Sequence, residues 1–145
     1  MLRIAALVFD ELTPLDLVGP LEVLARAPDA QIVLVGERGG EFVRAPATTH
    51  WAHRETLERY GAVYRAARYV EHERFITAAG VSAGIDMSLA LLAKLRGEQL
   101  AKAVQLSIEY DPQAPFDSGT PAKAGPELVE RVRAAAARSL EPPPS

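Results

Sequence analysis

Residues 80–84, Gly-Val-Ser-Ala-Gly, form a G-x-S-x-G pentapeptide, the pattern that surrounds the nucleophilic serine of many hydrolases. A strand-like run precedes it and an apolar, helix-like run follows it, as a nucleophile elbow requires. The α/β-hydrolase fold, however, takes its acid and its histidine from positions after the serine. Here all three histidines, His50, His53 and His72, precede Ser82. Two interpretations therefore stay open: a catalytic Ser82, or a glycine turn whose serine caps the next helix.

Asp16 is the second residue whose position suggests chemistry. It lies three residues after Thr13, in the first turn of a predicted helix. A carboxylate there could serve as a general acid or base, but the helix dipole and capping-box spacing also favour it structurally. His50 and His53 have the i, i+3 spacing that can bind a metal, although a third ligand would have to come from elsewhere. We predict no metal and no cofactor.

The composition excludes several classes of function. The chain has 145 residues, 48% of them hydrophobic, which suits one globular domain. A net charge of −3 without a basic block gives nucleic-acid binding no electrostatic support. We find neither an apolar run of about 18 residues nor a signal-peptide pattern, and we expect a cytoplasmic protein without a membrane span. The complete absence of cysteine excludes disulfides, zinc–thiolate sites and cysteine nucleophiles.

Alternating strand-like and helix-like runs predict an α/β fold with a mostly parallel sheet. We predict strands over residues 2–9 and 31–35, with a helix between them that starts at Thr13-Pro14. The helix is predicted to break or restart at Gly19-Pro20. Together the three elements form a right-handed β-α-β unit. Further strands are predicted at 62–70 and 73–79, and further helices at 52–60, 85–95, 98–109 and 126–139. The proline-rich stretch 111–125 is predicted to be a loop.

Four segments, residues 9–24, 48–51, 75–87 and 110–119, resemble the DJ-1/PfpI superfamily when they are taken together and in order. Within it, they are most similar to the isonitrile hydratase-like branch and to sensor domains of AraC-type regulators. The resemblance implies a flavodoxin-like three-layer sandwich that occupies residues 1–140, followed by a disordered tail at 141–145.

One interval departs from the family. Relatives carry a long segment, including the cysteine nucleophile elbow, where this chain has only residues 37–47. At about 30 residues for each strand–helix–strand unit, about sixty residues and two strands would be missing. An internal deletion would explain both the thin sheet and the absence of cysteine.

The resemblance also implies roles for individual residues. Asp16 occupies the position of the acid that tunes the family cysteine, and His50 falls where a histidine often lies near that nucleophile. The turn from Gly80 to Gly84 would line the same pocket. The candidate catalytic residues are thus Asp16, His50 and Ser82, and the candidate substrate-binding residues are Gly19, Gly80, Val81 and Gly84.

Three functions follow from this pattern. The first is a non-catalytic or vestigial protein that binds a small molecule. The second is an active enzyme, either an isonitrile hydratase-like lyase or a hydrolase that uses Ser82. The third is a ligand sensor that regulates transcription through a partner. We also expect a homodimer, and we expect strand 76–79 to dock beside strand 4–9; otherwise an apolar sheet edge stays open.

Overall fold

The computed structural model describes residues 1–8, 12–36, 47–48, 51, 54, 58, 61–73 and 75–139. His50, His53, most of the predicted helix at 52–60 and the predicted tail at 141–145 lie outside the described residues. The described strands are β1 (Leu2–Val8), β2 (Ala30–Gly36), β3 (Ala47–Thr48), β4 (Val63–Tyr64), β5 (Tyr69–His72) and β6 (Phe75–Ala78). The described helices are α1 (Pro14–Leu24), α2 (Val81–Arg96), α3 (Glu98–Ser107), α4 (Pro121–Ala124) and α5 (Pro126–Ser139).

The first β-α-β unit is present as predicted. Strands β1 and β2 pair in parallel, in register from Leu2 opposite Ala30 to Val8 opposite Gly36, and α1 connects them. The predicted break in α1 is wrong, because the helix continues through Pro20. Proline there removes one intrahelical hydrogen bond, but packing of α1 against α2 keeps the helix whole.

The remaining strands do not extend this parallel pair. The described strands form three two-stranded sheets, in which β3 pairs with β4 in parallel and β6 pairs antiparallel with β5. The prediction that strand 76–79 docks beside strand 4–9 is therefore wrong. A hairpin between sequence neighbours closes a short loop through Glu73, at φ 52°, so it costs less chain entropy than a long-range pairing. The fold is α/β with a short sheet, as predicted.

Helices rather than strands supply the core. Val23 of α1 and Leu92 of α2 are fully buried, and Ala27, Ala101 and Val104 complete the buried cluster. The apolar spacing of α3 predicts an inner face of Leu100, Ala103, Val104, Ser107 and Ile108. This prediction is partly wrong, because Ala101 is buried there while Ala103 and Ser107 are exposed. The helix α2 begins at Val81, earlier than the predicted start at 85, and α4 occupies part of the predicted 111–125 loop.

The β1–β2 pair leaves apolar side chains uncovered. Leu7, Val33, Leu34 and Val35 are each 38% to 60% exposed. Parallel sheets are ordinarily covered on both faces. Because side chains alternate along a strand, Leu7, Val33 and Val35 lie on one face and Leu34 lies on the other, so neither face is fully covered by the described residues. Among the described residues, no helix is long and apolar enough to cross a membrane.

Candidate binding site at the first turns of α1 and α2

Helices α1 and α2 approach each other closely because glycine faces a side chain at two points of the contact. A Cβ placed on Gly19 would lie 3.1 Å from Cγ1 of Ile85 and 3.7 Å from the carbonyl oxygen of Val81. A Cβ on Gly84 would lie 3.3 Å from Cγ of Pro20. The structure therefore brings three predicted substrate-binding residues together and gives both glycines a packing role; ligand contact by these residues stays a prediction.

A cavity of about 250 Å³ lies between β1 and the N-terminal turns of α1. Its lining consists of Ile4–Leu7 of the strand together with Leu12, Asp16, Leu17, Pro20, Leu21 and Leu24. Asp16 is the one charged residue in this lining, and the rest are apolar. Its backbone N–H donates to the carbonyl oxygen of Thr13 at 2.9 Å, but the side chain of Thr13 makes no capping hydrogen bond. Within the described part of the chain, no basic side chain pairs with the carboxylate of Asp16.

Ser82 does not cap α2, contrary to one of the two interpretations of the pentapeptide. Gly80 is the capping residue and makes no side-chain capping bond, and Ser82 lies one residue inside the helix. The Ser82 Oγ instead accepts a hydrogen bond from Nη2 of Arg68 at 2.9 Å. A guanidinium is a permanent donor and cannot remove a proton, so Arg68 does not activate Ser82. Among the described residues, no imidazole contacts this hydroxyl, and His72 is exposed on β5.

Three residues that the sequence analysis did not select form a network around Ser82. Arg68 donates through Nε to Oδ2 of Asp86. The hydroxyl of Tyr110 lies 2.7 Å from Oδ1 of Asp86 and 2.9 Å from the carbonyl oxygen of Ser82, so its single proton is shared between two acceptors. The network ties the segment after α3 to the first turns of α2.

The network changes two protonation equilibria. The hydrogen bond to Asp86 raises the pKa of the Arg68 guanidinium, which stays charged. Burial, followed by the hydrogen bond to Asp86, raises the pKa of the Tyr110 phenol. Asp86 could have been found in the sequence, since it lies four residues after Ser82 and so on the same helix face. No sequence signal marks Arg68.

Comparisons with known proteins find relatives in sequence and in fold. No family model matches the chain. It is 29% identical to an isonitrile hydratase of Pseudomonas putida, in an alignment that covers 97% of this chain and 92% of the relative. A solved THiJ/PfpI family protein from Pseudomonas syringae superimposes with a TM-score of 0.80 at 24% identity, over 94% of this chain and 86% of its own. The chain is therefore similar in sequence to isonitrile hydratase, and it has the fold of DJ-1/PfpI proteins.

A second solved structure shares the DJ-1/PfpI fold and no more. An AraC family transcriptional regulator from Pseudomonas putida gives a TM-score of 0.63 at 11% identity, over 74% of this chain and all of its own. The alignment with isonitrile hydratase spans 210 positions, whereas this chain has 145 residues. At least 65 aligned positions (210 less 145) therefore have no counterpart in this chain.

The two histidines singled out in the sequence cannot be placed in this site. His50, the third candidate catalytic residue, lies outside the described residues, as does His53. Within the part of the chain that the structure describes, no group of three His, Asp or Glu side chains is arranged to hold a metal ion. The candidate site therefore consists of Asp16 with its apolar cavity and, at the start of α2, Ser82 with its arginine.

Proposed function

We propose that this chain is a non-catalytic DJ-1/PfpI protein that binds a small molecule in the cavity beside Asp16. The observation that carries the proposal is the cavity itself, whose apolar lining includes one acidic residue, Asp16. The chain that forms it contains no cysteine. Concave, mostly apolar pockets with one or two polar groups are the usual form of small-molecule sites. Ligand binding needs no nucleophile, so it is compatible with everything described at this site.

The described residues contain no activated nucleophile, which supports binding rather than turnover. Covalent catalysis requires a nucleophile next to a base or with a lowered pKa. Cysteine is absent from the sequence, the Ser82 hydroxyl accepts a hydrogen bond from a guanidinium, and no described base contacts it. The 65 unmatched alignment positions favour an internal deletion as the origin of this state.

The proposal includes a homodimer in the cytoplasm. Members of the DJ-1/PfpI superfamily are commonly dimeric. The exposed apolar side chains on β1 and β2, such as Leu34 at 60% exposure, would be covered by a second copy. Light scattering of the purified protein tests the dimer directly, and a monomer at all concentrations would contradict it.

Thermal unfolding with and without ligand tests the binding function. We expect short alkyl isonitriles or their N-substituted formamides to raise the melting temperature without being converted. A ligand at one hundred times its Kd stabilises the folded state by about 2.7 kcal/mol. Formation of formamide by the wild-type protein above the uncatalysed rate would overturn the non-catalytic proposal.

The identity to isonitrile hydratase favours one catalytic alternative. In this reaction water adds to the isonitrile, and the product R–NH–CHO contains all atoms of R–NC and H₂O. Asp16 would have to activate the water, or Ser82 would have to attack the isonitrile carbon. The two routes separate by mutation: Asp16→Asn abolishes turnover in the first, and Ser82→Ala abolishes it in the second.

A further inference from the structure

We propose that the cavity beside α1 selects small amines, with the ammonium group paired to Asp16 and an apolar body against β1 and α1. This inference rests on the proposed binding function and adds the chemical class of the ligand. Its basis is the combination of one unpaired carboxylate with an otherwise apolar lining.

The charge at the cavity is uncompensated. Asp16 is exposed, and no described basic side chain forms an ion pair with it. The sequence from Val8 to Leu21 contains three carboxylates and no lysine or arginine. A cation at Asp16 therefore meets attraction without a competing partner among the described residues, whereas a ligand carboxylate meets repulsion.

The apolar lining of the cavity determines the size and the polarity of the part of the ligand that does not contact Asp16. Half-buried side chains of the strand and the helix, including Ile4, Ala6, Leu17 and Leu21, face the same cavity as Asp16. A volume of about 250 Å³ holds about eight non-hydrogen atoms if each takes the volume of one water, about 30 Å³. When an apolar group of this size binds, its own surface and the apolar lining of the cavity are both removed from water. This hydrophobic burial contributes to the affinity without fixing the ligand's orientation.

Three probes of nearly equal size separate charge from shape. Cyclohexylmethylamine, cyclohexylmethanol and cyclohexanecarboxylate share one ring and differ in the charged or neutral group attached to it. Binding is measured by titration calorimetry on the purified full chain at low and at high salt. We expect the amine to bind at least tenfold more tightly than the alcohol, the carboxylate to bind most weakly, and added salt to reduce the difference.

Variants of α1 assign the selectivity to one carboxylate. Asp16→Asn is expected to remove the preference for the amine while leaving alcohol binding unchanged, and Asp16→Lys is expected to reverse it toward the carboxylate. Glu22→Gln is the matched control, because Glu22 lies on the same helix and pairs with Arg26. The Glu22 variant should keep the wild-type preference, and circular dichroism confirms that each variant is folded.

The outcomes distinguish the inference from the proposed function. If amine and alcohol bind equally to the wild type, or if Asp16→Asn keeps the amine preference, the inference is overturned. Ala6→Leu, which adds carbons to the cavity wall, then decides the proposed function. If Ala6→Leu no longer binds the alcohol, the alcohol binds in this cavity. The proposed binding function then stands, but without selection by charge. Absence of binding by every probe, with no isonitrile or formamide raising the melting temperature, would overturn both.

Discussion

Removing the hydroxyl of Tyr110 tests whether the network at the start of α2 stabilises the fold. The single proton of this group is shared between Oδ1 of Asp86 at 2.7 Å and the carbonyl oxygen of Ser82 at 2.9 Å. In Tyr110→Phe both contacts are lost, while the ring keeps its packing and Asp86 keeps its ion pair with Arg68. The substitution therefore removes hydrogen bonding without leaving an unpaired charge.

The expected loss of unfolding free energy depends on the charge of the acceptor, Asp86, and on the burial of the donor, Tyr110. A hydrogen bond to a charged group contributes about 1.5–3 kcal/mol to stability. Tyr110 is only half-buried, so water partly replaces the lost contacts and the lower end applies. We expect the free energy of unfolding to fall by about 1.5 kcal/mol. For a chain of this length, that corresponds to a melting temperature lower by about 3–6 °C.

Urea and thermal unfolding, followed by circular dichroism, measure this effect. Tyr69→Phe is the matched control, because Tyr69 is 38% exposed and its hydroxyl makes no hydrogen bond among the described residues. The control should change the unfolding free energy by less than about 0.5 kcal/mol. Equal stability of the two phenylalanine variants would refute the reasoning and show that the network contributes nothing to folding.

Three further predictions concern the core, the phenol and the open sheet face. Leu92→Ala should cost about 3 kcal/mol of unfolding free energy, because Leu92 is fully buried, whereas Leu106→Ala, at 81% exposure, should cost under about 0.5 kcal/mol. Because the pKa of Tyr110 is raised in the folded state above its unfolded value of 10.0, its contribution to stability is complete below pH 10 and is lost as the pH rises further. Denaturation at pH 9 and pH 11 should therefore show that Tyr110→Phe loses less unfolding free energy between the two pH values than Tyr69→Phe. An equal loss of unfolding free energy in the two variants would contradict the raised pKa of Tyr110. Leu34→Lys should reduce self-association in light scattering with little change in melting temperature, and unchanged association would show that this face of β2 is not what associates.

The local pattern of the sequence predicted the elements that short-range forces decide. The β-branched run at β2, the proline at the start of α1 and the apolar spacing of α5 each indicated the correct element. The continuous helix through Pro20 could not be predicted, because the contact with Gly84 on α2 compensates for the missing hydrogen bond. The run Glu71–Glu73 predicted the hairpin turn between β5 and β6, but not that β6 leaves β1 unpaired, because pairing between distant strands depends on which loops close.

The sequence by itself determined that this chain is an α/β protein, that it resembles DJ-1/PfpI proteins, and that it has no cysteine for their chemistry. These properties depend on residue types and on their local spacing, which can be read along the chain. Only the tertiary structure decided that Asp16 faces an apolar cavity and that Ser82 accepts from Arg68. Arg68 precedes Ser82 by 14 residues, and Tyr110 follows it by 28. Contacts across such separations are set by how helices and strands pack, and no local pattern records them.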